Sequence, residues 1–137
     1  MAPRFLTSNV DRAYALLRIV AGLLFSFHGM QKILGVLSDK PGPAFGTQLW
    51  FGGVIELTTG LLMVVGLGTR LAAFLASGTM AVAYVQFHWK LQLGQAFFPI
   101  VNKGELALLY AFLFLYIACR GAGIWSIDRA RDGSRHT

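Results

Sequence analysis

The stretch Leu49-Trp50-Phe51-Gly52-Gly53-Val54-Ile55-Glu56-Leu57-Thr58-Thr59-Gly60-Leu61-Leu62-Met63-Val64-Val65-Gly66-Leu67 carries one charged residue, Glu56, in an otherwise uncharged run. It is about as long as the roughly 20 helical residues that cross a hydrocarbon core. Helical rise puts Glu56 roughly 10 Å along from Leu49. A carboxylate at that depth must be paired, hydrogen-bonded or protonated, because an isolated charge there costs several kcal/mol. Its candidate partners are Arg18, His28, Lys32 and His88, which lie in or at the ends of the other apolar segments. Gly52 and Gly60, one turn to either side, predict that this face meets a protein neighbour rather than lipid.

Working outward, the whole chain has the same character. Of its 137 residues 55% are hydrophobic and 13% charged, with a mean hydropathy of +0.60, whereas soluble domains carry about 25% charged residues. The sequence therefore predicts an all-α integral membrane protein: a four-helix bundle forming a single domain over residues 1–137, with helices at about 13–34, 49–67, 71–88 and 103–120. The first segment is read as a retained helix, since it is too long for a signal peptide, starts only at residue 13 and lacks a convincing A-x-A cleavage site before Gln31.

Charge distribution orients the bundle. Arg4, Arg12, Arg18, Arg70, Arg120, Arg129, Arg131 and Arg135 fall at the N-terminus, near the second connection or after the fourth helix. Lys32, Lys40, Lys90 and Lys103 fall at the first and third connections. By the positive-inside rule the arginine side is cytoplasmic and both termini are inside. Arg129, Arg131 and Arg135 then suit anionic headgroups, and the net charge of +6 is read as lipid-directed, with no nucleic acid as partner. Arg18, one to two turns in, is expected to snorkel to the cytoplasmic interface, or to point into the bundle if Gly22, Phe25, Gly29 and Lys32 do. Cys119 alone gives no disulfide, C-x-x-C pair or iron–sulfur ligand set.

The connections are distinct. Ser38-Asp39-Lys40-Pro41-Gly42-Pro43 is a turn cluster. Gly66-Leu67-Gly68-Thr69-Arg70 is short enough to force an antiparallel hairpin. Trp89 to Lys103 mixes aromatic and polar residues, as expected of an interfacial segment. Gly121 to Asp128 ends the fourth helix and sets Trp125 at headgroup level. Small residues at packing spacing are expected to line helix contacts: Gly22, Ser26 and Gly29; Gly52 and Gly60 around Glu56; and Ser77 and Ala81 in line with Tyr84 and His88.

This topology brings polar groups to one half of the bundle: His28 and Lys32, Glu56, His88, then Asn102 and Glu105. The cluster is read either as a ligand or proton-relay site, which is the ordinary meaning of ionisable groups inside a membrane, or as a buried ion pair that fixes helix register. No group of residues points to a bound metal, and no complete catalytic motif is present.

The runs Arg18-x3-Gly22-x5-His28-Gly29-x2-Lys32, Ala44-Phe45-Gly46, Glu56-x3-Gly60-Leu61, Gly66-Leu67-x-Thr69-Arg70, Asn102-x-Gly104-Glu105 and Gly121-x-Gly123-x-Trp125-Ser126-x-Asp128 together resemble the DoxX family of small bacterial membrane proteins. The resemblance spans nearly the whole chain. It implies a four-helix protein of the bacterial inner membrane. Some relatives are subunits of a thiosulfate:quinone oxidoreductase, and others are associated with thiol and superoxide defence. The reading that follows is a membrane subunit of a redox system that contacts quinone through the polar cluster, beside aromatic walls such as Phe25, Phe27, Tyr84 and Trp89, with electrons supplied by a partner oxidoreductase subunit. The alternative is a non-catalytic anchor or assembly module for such a partner. Haem held by His28 and His88 is a lesser option. A homo-oligomer is compatible with either reading.

Overall fold

The computed structural model describes residues 3–134; Met1, Ala2 and the last three residues, Arg135 of the basic tail included, lie outside the described residues. In chain order the elements are α1 (Arg4–Thr7), α2 (Val10–Ile33), α3 (Gln48–Val65), α4 (Thr69–Ala83) continued by a π-helical segment (Tyr84–Trp89), a 3-10 turn (Gly94–Phe97), α5 (Pro99–Asn102), α6 (Glu105–Arg120) and α7 (Ile127–Ser134). No strand occurs among the described residues. Three helices are long and apolar enough to cross a membrane: Val10–Ile33, Gln48–Val65 and Thr69–Trp89. With its composition, this makes the chain an all-helical membrane protein. α6 is shorter, at 16 residues.

Two helix pairs make up the bundle, α2 along α3 and α4 along α6, joined by the α3–α4 hairpin. Glycine sets the α2–α3 distance. A Cβ on Gly60 would lie 2.7 Å from the Gly22 carbonyl oxygen and 2.7 Å from the Ser26 amide nitrogen, and one on Gly53 would lie 2.6 Å from Lys32 Cβ. Such proximity is how membrane helices gain dispersion contacts where hydrophobic burial supplies no drive. The expected pattern shifts by one residue here: Gly53 takes the packing role, while a Cβ on Gly52 would meet nothing within 4 Å.

The α4–α6 pair closes on alanines instead. Ala72, Ala73, Ala76 and Met80 are buried, and Ser77 Oγ donates 2.7 Å to the Ala111 carbonyl. The expected Ser77–Ala81–Tyr84–His88 alignment is not the packing stripe. Ala81 is exposed, and π winding from Tyr84 rotates the residues beyond it. Across the two pairs, Phe25 of α2 meets Phe114 and Tyr110 of α6 at centroid distances of 4.7 and 5.6 Å.

At the arginine end, helix termini are matched by charge. Arg18 is fully buried, which corrects the snorkelling expectation. It donates to the Met63 carbonyl at 2.9 Å, in the last turn of α3, and to Trp125 and Ile124 carbonyls at 2.7 and 3.3 Å. Arg70 donates to the Ala118 carbonyl at 2.9 Å at the end of α6. Both cations sit where orphan carbonyls and the helix dipole favour them. The hairpin between them needs left-handed backbone at Gly66 (φ +69°) and Gly68 (φ +56°).

The N-cap of α4 is Gly68, which has no side chain to cap the helix, and the carboxylate of Asp128 does so from across the chain. Its Oδ1 accepts from the Gly68 amide at 2.8 Å and its Oδ2 from the Thr69 amide at 3.0 Å. Burial pushes the Asp128 carboxyl up, but these amide bonds and the Arg131 charge outweigh it and hold the group below its ordinary value. A depressed folded value stabilises above the unfolded carboxylate pKa of about 3.9, and that stability is lost as pH falls through the folded value. Between about pH 6 and pH 3, the melting temperature in detergent should therefore fall further for the wild type than for Asp128→Ala. Parallel curves would contradict the cap.

Candidate functional site

At the opposite, lysine end the two helix pairs leave a cavity of about 530 Å³ between them. α2 contributes Phe25, His28 and Lys32, and α3 contributes Gln48, Phe51, Gly52 and Glu56 among others. From α4 and its π extension come Thr79, Met80, Phe87 and His88, from the turn before α6 comes Lys103, and from α6 come Ala107 and Tyr110. The size falls within the usual 300–1,000 Å³ of small-molecule sites, and apolar walls with a few convergent polar groups are their usual chemistry.

The polar centre is an ion pair. Lys32 Nζ lies 2.5 Å from Glu56 Oε1, with side-chain exposures of 32% and 3%. Antiparallel α2 and α3 create this meeting because Gly29 sits over the Leu57 backbone and Gly53 under Lys32. Lys32 thus reaches into the bundle with its ammonium while its stem packs on helix backbone. The second carboxylate oxygen, Glu56 Oε2, is buried without a hydrogen-bond partner. An orphan charged acceptor on a cavity wall is costly, and a donor brought by a ligand would relieve it.

Other predicted residues are placed differently. His28 lines the cavity and meets the Tyr110 ring edge-on at 6.4 Å; no hydrogen bond joins it to Glu56. His88 also lines it, its Nδ1 lying 3.3 Å from the Asn102 carbonyl oxygen. Asn102 stays outside the cavity wall and holds the loop, donating to the Ala96 carbonyl at 3.0 Å and accepting from the Gly104 amide at 2.8 Å. Glu105 is exposed in the first turn of α6, where its charge complements the helix dipole. Among the named aromatic walls, Phe25 lines the cavity, and Phe27, Tyr84 and Trp89 do not.

Sequence reasoning passed over Gln48, Phe51, Lys103 and Tyr110. Gln48 was accessible to it, since Gln48, Gly52 and Glu56 recur every four residues and so share a helix face. Tyr110 carried no such signal. Among the described residues no group of His, Cys, Asp or Glu has the geometry to hold a metal ion.

Comparison with known proteins adds three relatives and a family. The DoxX family model matches residues 13–89. An uncharacterized protein of Haemophilus influenzae is 44% identical over 83% of this chain and 87% of its own length. An uncharacterized membrane protein of Mycobacterium tuberculosis is 30% identical over 93% of this chain and 86% of its own. A Bacillus subtilis protein with the provisional oxidoreductase name CatD is 26% identical over 82% of each chain. No solved structure matches the chain.

Proposed function

This chain belongs to the DoxX family of membrane proteins, and from that premise we propose that it is the membrane subunit of a redox system and binds a quinone head group in the cavity at the lysine end. The observation that carries this is the Lys32–Glu56 pair, its carboxylate buried and Glu56 Oε2 left unpartnered on an apolar cavity wall. Lys32, His28, Lys103 and His88 offer donors for quinone carbonyls, and Glu56 Oε2 would accept from a quinol hydroxyl and take its proton. Phe25, Phe51, Phe87 and Tyr110 supply apolar area for the ring. This chain's residues hold the head group and move protons, while a partner oxidoreductase subunit supplies the electrons. The provisional oxidoreductase name of the CatD relative supports a redox setting.

In the same reading the protein is a single four-helix domain of the bacterial inner membrane. α6 with its flanks would be the fourth crossing, both termini would be cytoplasmic, and the lysine end would face outward. Labelling of intact cells with an impermeant thiol reagent should modify Ser38→Cys and spare Ser134→Cys, on a Cys119→Ser background. The reverse pattern would invert the orientation.

Titration of the purified protein with a quinone analogue tests the site. Glu56→Gln should weaken binding about tenfold or more, the scale of a lost hydrogen bond to a charged group. Unchanged binding would leave the cluster as a structural ion pair in an anchor for a partner enzyme.

A further inference from the structure

We propose that the cavity is entered from the side, between α3 and α4, by a ligand with an apolar tail, so that the head meets Lys32 and Glu56 while the tail lies among Phe51, Ile55, Thr79 and Val82. The inference rests on the quinone reading above and specifies its substrate class as a bilayer-dissolved, tailed molecule rather than a soluble head group.

The gap follows from the way the pairs are joined. α3 and α4 are tied at the Gly66–Gly68 hairpin, where Arg18 and Asp128 lock the arginine end, and each packs most extensively on a different partner. Toward the lysine end residues of both helices line the cavity. Phe51 and Val82 line that cavity and are 56% and 49% exposed. A side chain that faces both an internal cavity and the outside marks an opening.

The opening is spanned at its lysine end. Gln48 of α3 and Gln86 of the π segment are joined by a hydrogen bond between their side chains, bridging the gap on its aqueous side. Below this bridge the rim is apolar apart from Thr79, whose hydroxyl is bonded to the Leu75 carbonyl of its own helix at 2.9 Å. Ile55 lies roughly 10 Å into α3, level with Glu56 and at hydrocarbon depth. A ligand arriving through such a rim loses nothing by leaving lipid, whereas a hydrated one would shed its water against apolar surface. Inside, the open space over Gly52 leaves room beside the carboxylate.

The test uses two probes on detergent-purified protein, decyl-benzoquinone and the same head group without the chain. Val82→Trp and Thr79→Phe, which fill the rim from α4, should each weaken decyl-benzoquinone binding about tenfold or more, because buried methylenes supply tail affinity. The tailless probe should bind both variants as it binds the wild type. Phe74→Trp, at a residue 62% exposed on α4 and outside the cavity wall, should leave both probes unaffected. Two rim variants guard against one failing to fold. Wild-type affinity for decyl-benzoquinone in both would overturn the side entrance and leave the head-group site standing. Loss of both probes in folded variants would also overturn it, since the rim would then be part of the head site. Failure of decyl-benzoquinone to bind the wild type would overturn the quinone reading and this inference with it.

Discussion

Gly60→Leu should destabilise the protein by about 3 kcal/mol, the upper end of what overpacking usually costs, while Leu61→Ala costs about 0.5 kcal/mol or less, as surface changes do. The difference is geometric. The first Cβ added at Gly60 already stands 2.7 Å from the Gly22 carbonyl oxygen and 2.9 Å from Ser26 Cβ, and the obstructing atoms are largely backbone that cannot swing away. The adjacent Leu61 is 49% exposed. Separating α2 from α3 would also pull Lys32 off Glu56, so the variant should lose head-group binding along with stability. Equal unfolding midpoints for the two variants in the same detergent would show that the Gly60 face is not a close helix contact.

That contact was largely legible beforehand, and the reasons it was not fully so are instructive. Gly22, Ser26, Gly29 and Gly60 announce close packing by size and spacing alone. Gly52 and Gly53 are adjacent, and a sequence does not say which of two neighbouring glycines faces a helix and which faces a hole. The residues of the ion pair were nameable because charge in an apolar segment demands a partner, yet His28 and Lys32 share a face of α2 and both met that demand. Register decides for Lys32. The inward course of Arg18 was one of its two readings, but its acceptors were out of reach: they are backbone carbonyls 45, 106 and 107 positions away, and carbonyls carry no residue identity. The Asp128 cap is similarly distant, with its amide donors 60 and 59 positions off. The π winding at Tyr84–Trp89, which sets Phe87 and His88 on the cavity wall, has no residue type that demands it.

The second large effect concerns the ion pair. Lys32→Met alone should cost about 3 kcal/mol, toward the lower end for a broken buried pair because the Lys32 side chain keeps 32% exposure. It leaves both Glu56 oxygens buried and unpartnered, since Oε2 already lacks a donor. Adding Glu56→Gln should recover much of that loss, because the double variant no longer buries an unpaired charge. The cycle with His28→Leu should be additive, as no hydrogen bond joins His28 to Glu56 and its ring contact is with Tyr110. Additive energies in the Lys32 cycle, or coupling in the His28 cycle as large as that expected for Lys32, would contradict the assignment of the pair.

The central claim is that this polar cavity holds a quinone head group. Its most direct measurement is solvent extraction of protein purified in mild detergent, followed by spectroscopic identification of what was bound. The account predicts that a quinone accompanies the wild-type protein and is depleted in Glu56→Gln of comparable thermal stability. Wild-type protein that retains no quinone, or a Glu56→Gln variant that retains as much as the wild type, would contradict it.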